Sequence, residues 1–129
     1  MNNFLTISLS FLVLTLAACG GSGPQSSIPP QHWGEADVRI ETHPNPPLAG
    51  MSEIVVIVTG SHGRPIGDMM VSLRGNDSMP WVQAIQDGNI GVYRRGIDIG
   101  DSPATILQVR LQQGSNEKVL LFPLTLAPS

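Results

Sequence analysis

From Trp33 onward the sequence predicts an all-β fold, an immunoglobulin-like antiparallel β-sandwich of about seven short strands. Three observations predict it. Apolar residues recur with period two, and clusters of Gly, Pro, Asn and Ser interrupt them roughly every 8–15 residues. No segment carries the 3.6-residue period of an amphipathic helix.

The elements follow in order. Residues 36–42 alternate Val38 and Ile40 with Asp37, Arg39 and Glu41, as a half-buried strand does. His43-Pro44-Asn45-Pro46-Pro47 stops it, because proline lacks an amide donor and fixes φ. Residues 52–59 contain the β-branched run Ile54-Val55-Val56-Ile57-Val58, which marks a central strand. After turn residues at Gly60-Ser61-His62-Gly63, residues 69–74 place Met69, Val71 and Leu73 on one face and Met70 on the other. Gly75-Asn76-Asp77-Ser78 leads to a strand at 81–86, and Asp87-Gly88-Asn89 to another at 90–99. Beyond Gly100-Asp101-Ser102-Pro103, Leu107, Val109 and Leu111 alternate with Gln108, Arg110 and Gln112. The last strand spans 118–126, where Pro123 removes one ladder donor and so implies an edge. The chain holds a single cysteine, so the inter-sheet disulfide of antibody domains has no counterpart; Trp81 or Tyr93 is expected to fill that volume.

That cysteine, Cys19, closes an apolar run over residues 4–16. A membrane-spanning helix needs about 20 apolar residues. This run is shorter, contains Thr6, Ser8, Ser10 and Thr15, and lacks a basic flank, so it reads as a cleaved leader. Leu16-Ala17-Ala18-Cys19 resembles the lipobox of bacterial lipoproteins. The resemblance implies removal of residues 1–18, a diacylglycerol on the Cys19 thiol, and acylation (palmitate or a similar chain) of its freed amine. Two or more chains give stable anchoring where one does not. With Gly20 rather than Asp after the cysteine, the same resemblance implies a cell-envelope location, on the outer membrane facing the periplasm in a Gram-negative source. The segment GGSGPQSSIPP then reads as a linker. The expected organisation is a signal peptide at 1–18, the lipidated cysteine and linker at 19–32, and a β-sandwich domain at 33–129.

Seven Lys and Arg against ten Asp and Glu give a net charge of −3, and no basic cluster exceeds Arg94-Arg95. That excludes a phosphate-backbone binder and so a nucleic-acid partner.

Four short motifs carry a family likeness: Pro47-Leu48-Ala49-Gly50, Gly63-Arg64-Pro65-Ile66, Met79-Pro80 and Gly91-Val92-Tyr93. In this order the chain resembles the YtkA-like domains, to which FixH-like proteins are similar. These are small exported immunoglobulin-like modules, often lipoproteins. The resemblance covers residues 35–126 and implies the same fold and compartment. The clustered Met and His of copper-handling relatives is not reproduced.

Chemistry-bearing residues are few. No serine lies in G-x-S-x-G, and lipidation consumes the only thiol, so the chain is not expected to be an enzyme. Thioether and imidazole ligands suit Cu(I), and His62, Met70 and Met79 are the candidate set for a copper carrier. The competing role for these methionines is to fill irregular gaps. The other lead is apolar residues on a second face: Val55 and Ile57 in one strand, Val119 and Leu121 in another. They need a cover, either the segment 28–33 and the proline loop or an envelope protein partner. Val55 and Ile57 are therefore the candidate partner-binding residues. The leading expectation is a lipid-anchored envelope binding or accessory module without a cofactor; the alternative is a periplasmic Cu(I) carrier.

Val56 lies at the centre of the most apolar run, so Val56→Asp is expected to cost at least about 3 kcal/mol. Circular dichroism should show β structure in the parent domain and its loss in the variant.

Overall fold

The computed structural model describes residues 27–128, which form eight strands and no α-helix. They are β1 (Gln31–Trp33), β2 (Ala36–His43), β3 (Met51–Thr59), β4 (Met70–Arg74), β5 (Val82–Gln86), β6 (Val92–Asp98), β7 (Ala104–Gln113) and β8 (Asn116–Thr125). Every pairing is antiparallel, in the order β1-β2-β3-β6-β5-β4-β7-β8. The ribbon folds on itself into two layers, β1-β2-β3-β6 and β5-β4-β7-β8, as an immunoglobulin-like sandwich close to a closed barrel. Strand β5 joins them. Val82, Gln83 and Ala84 pair with β4, whereas Ile85 and Gln86 pair with β6.

Seven strands are those the periodicity predicts. The eighth, β1, starts at Gln31, two residues ahead of the expected domain start. Three residues are too few to show a period, and two prolines precede them. A two-residue turn returns β1 to β2, with Gly34 first at φ 60°. The β7–β8 turn repeats this arrangement with Gly114 at φ 59°. Glycine in the first turn position suits the right-handed twist of the flanking strands. The Gln31 amide Nε2 donates to the carbonyl of Leu121, so β1 lies beside β8 and narrows the gap between the two edges. Strand β8 ends the order, in agreement with the edge position that Pro123 implies.

The interior collects the inward row of each strand. Val38 and Ile40 of β2, Ile54, Val56 and Val58 of β3, and Leu107, Val109 and Leu111 of β7 are all buried. From β8 come Leu120, Phe122 and Leu124. Fully burying one such side chain contributes about 1.5–3 kcal/mol, which is why the fold stands without a crosslink. Met69 is buried and Met70 exposed, as alternation requires.

Tyr93, not Trp81, fills the middle of the sandwich. It is among the largest fully buried side chains, whereas Trp81 is only half-buried. The Tyr93 hydroxyl donates to the Ile66 carbonyl at 3.0 Å and accepts from the Met69 amide at 3.4 Å. These bonds fix the long β3–β4 connection to β6. Gly91, two residues earlier, lets them form: at φ 78°, a Cβ there would come within 2.8 Å of the Val58 carbonyl oxygen. No other residue fits that approach.

Burial raises the Tyr93 pKa above the ordinary 10.0; the Met69 bond lowers it and the Asp68 charge raises it further. Because the folded value lies above the unfolded one, this contribution to stability is complete below about pH 10 and is lost as pH rises through the folded value. Tyr93 is the only tyrosine, so phenolate absorbance reports it alone. The folded chain is expected to ionise above pH 10, in step with alkaline unfolding. Tyr93→Phe should remove that step while costing about 1–3 kcal/mol at neutral pH, since two buried backbone groups lose their partner.

Candidate functional site

The two outer faces of the sandwich are chemically different. On β2, β3 and β6, the outward side is charged. Arg94 Nη1 lies 3.3 Å from Glu53 Oε1, and His43 Nδ1 lies 3.4 Å from the same oxygen. His43 Nε2 is also 3.9 Å from Glu41. Arg39 and Asp37 continue the row along β2.

Val55 belongs to this charged side. In the ladders it stands between Glu41 and Arg94. It is 2% exposed, yet lies outside the central apolar cluster. Long charged neighbours that lay their aliphatic stems across a small apolar residue account for that burial. Ile57, between Arg39 and Val92, is partly buried. Alternation places both residues opposite Val56, as expected, but it leaves almost none of Val55 open to a partner.

The outward side of β4, β7 and β8 is low in charge. Met70, Ile106 and Leu121 are 51%, 50% and 52% exposed, and Val119 is 38% exposed. Register aligns them: Gln108 stands opposite Leu121, Arg110 opposite Val119, and Ile106 opposite Pro123. Trp81 lies across this face between two guanidinium groups, with Arg74 Cζ 4.3 Å and Arg110 Cζ 4.6 Å from its ring centroid. Each such contact contributes about 0.5–1 kcal/mol at an exposed site. Arg74 is anchored further, donating from Nε to Gln108 Oε1 at 2.8 Å and from Nη2 to Asp77 Oδ1 at 3.3 Å. Arg110 is not. Its Nε is buried without a hydrogen-bond partner, and no carboxylate pairs with it among the described residues. The stack is hidden from sequence reading, because only the β4–β7 pairing brings Arg74 and Arg110 together.

At the pole where the β1–β2, β3–β4 and β7–β8 turns meet, a cleft of about 640 Å³ opens between Trp33, Glu35, Ser61, Met69, Gln113 and Glu117. Ser61 Oγ donates to Glu35 Oε2 at 3.1 Å, and Gln113 Nε2 donates to Asp68 Oδ1 at 2.9 Å. The aromatic wall and the amide and carboxylate groups suit a polar ligand.

The candidate copper ligands do not converge. His62 is exposed in a 3-10 turn beside the cleft, and Met70 opens β4. Met79 lies beyond the far end of that strand, its sulfur against Gly75. Met70 stands five residue steps, about 17 Å, from Gly75, against which the Met79 sulfur lies, and one ion cannot bridge that gap. Among the described residues, no three His, Cys, Asp or Glu side chains are grouped to hold a metal. Cys19, the expected lipidation site, lies outside the described residues. Compared with known family models, curated proteins and solved structures, the chain matches none.

Burial separates the two outer faces experimentally. Val55→Thr is expected to cost about 1–2 kcal/mol, because it places a hydroxyl in a covered apolar site. Leu121→Thr should stay within about 0.5 kcal/mol. Thermal unfolding of the two variants measures the difference.

Proposed function

We propose that the protein is a lipid-anchored cell-envelope module that works by binding, as an accessory to another envelope component, and not by catalysis. The observation that carries this reading is Leu16-Ala17-Ala18-Cys19, which closes an apolar run too short to span a bilayer. The acyl chains on Cys19 are the proposed attachment; among the described residues, no helix is long and apolar enough to cross a membrane. The polar cleft between the turns supports a binding role, since it presents an aromatic surface and several hydrogen-bonding groups together. The YtkA-like likeness belongs to the same proposal. Its motifs fall at the approach to β3, in the β3–β4 connection, before β5 and at the start of β6.

Cys19→Ser tests the reading. A hydroxyl is a poor substitute for the thiolate that accepts the diacylglyceryl group. The parent chain is expected to partition with membranes and to carry acyl mass on its mature N-terminus. The variant should appear as uncleaved precursor or in the soluble fraction. A variant that still fractionates with membranes as a correctly trimmed chain overturns the proposal.

A further inference from the structure

We propose that the outward face of β7 and β8 rests on the bilayer that holds the anchor, with Ile106, Val119 and Leu121 at the headgroup boundary and the Arg110 guanidinium at lipid phosphate. This inference rests on the lipid-anchor reading of Cys19. Three observations carry it, the first being where the tether arrives. Strand β1 runs toward the pole that holds the cleft, and Gln31 bonds to Leu121, so the chain comes in along the β8 edge from the opposite pole. The second is reach. Cys19 stands eight residues before Ser27, a distance of at most about 29 Å even fully extended. Strand β8 alone, with ten residues and so nine steps, is about 30 Å long. The leash is therefore shorter than the domain, and the edge where β1 meets β8 is held near the lipid.

The third observation chooses between the two faces that meet at that edge. One carries the carboxylates of Asp37, Glu41 and Glu53 against the guanidinium groups of Arg39 and Arg94, a dense charged row that is net acidic and that stays hydrated. The other presents three half-exposed aliphatic side chains around Arg110, a cation without a carboxylate partner among the described residues, with Glu117 at the cleft end of β8 bonded to Gln112. Apolar side chains at the acyl boundary with a cation at the phosphate level are what an interfacial surface requires. The face also includes Trp81, whose apolar ring and polar N–H suit the same depth.

Acylation blocks the only native thiol, so a cysteine introduced into the full chain is the single labelling site. The test uses the lipidated protein in vesicles of equimolar phosphatidylcholine and phosphatidylglycerol, with an environment-sensitive fluorophore on Leu121→Cys, Val119→Cys or, as control, Arg39→Cys. Flotation with the vesicles is measured first. The labels at 119 and 121 are expected to be quenched several-fold more by spin-labelled lipid than the label at 39, and to be correspondingly protected from iodide. Equal, aqueous behaviour at all three positions in floating protein overturns this inference and leaves the anchor intact. Failure to float overturns both. Labels that are aqueous in vesicles but shielded in native membranes overturn the bilayer in favour of a protein on this face.

Discussion

The slab of side chains between the two layers carries the whole molecule. With one cysteine, set before the domain, no crosslink restrains the unfolded chain, and the strands must be held by burial alone. Period-two alternation makes this feasible. Each strand contributes one row to the slab, and Ile54, Val56 and Val58 meet rows from the opposite layer. Tyr93 organises the rest. Its ring fills the centre, while its hydroxyl reaches the backbone of the β3–β4 connection. A loop that would otherwise leave buried amide and carbonyl groups unsatisfied is thereby tied to the core.

Alternation in the sequence identifies this slab well, because a residue's side of the sheet depends only on its parity. Val38 and Ile40, the three inward residues of β3, and the set from Leu120 to Leu126 all fall where parity puts them. Parity does not report what lies above the other side. Val55 illustrates the limit: it faces away from the core as its position dictates, yet it is buried between Glu41 and Arg94, its neighbours in register. Those neighbours are 14 and 39 residues away in the chain. Strand pairing is likewise beyond local reading, which is why neither the divided pairing of β5 nor the Arg74–Trp81–Arg110 stack is visible before the fold. The candidate copper ligands are kept apart for a related reason. His62, Met70 and Met79 suit the metal by type, but the straight run of β4 holds the two methionines apart.

The same pairing sorts the charges. Glu41, His43, Glu53 and Arg94 come from three strands and share one outward face, where mutual ion pairing keeps each near water. Such exposed pairs contribute little individually, about 0–1 kcal/mol. Their larger effect is exclusion, since a charged face is a poor seat for an apolar partner. On the opposite face Arg74 forms an ion pair with Asp77, whereas Arg110 forms none among the described residues. Arg110 is held by an aromatic ring instead, which positions the guanidinium without neutralising it.

The direction of β1 links that asymmetry to the polar cleft. Trp33 ends β1 and lines the cleft, so the strand that follows the linker also builds one wall of the candidate binding pole. A chain tethered at Cys19 therefore approaches along the edge beside β8 and turns back at Gly34, with the cleft at the far end of its path. Whatever contacts the low-charge face must leave that pole open if a polar ligand is to reach Glu35, Gln113 and Glu117. A domain lying on β7 and β8 meets this condition, because the turns that form the cleft project from the end of the strands and not from their outward side. Under the proposed anchoring, one short edge strand fixes both how the domain is held and which surface it offers.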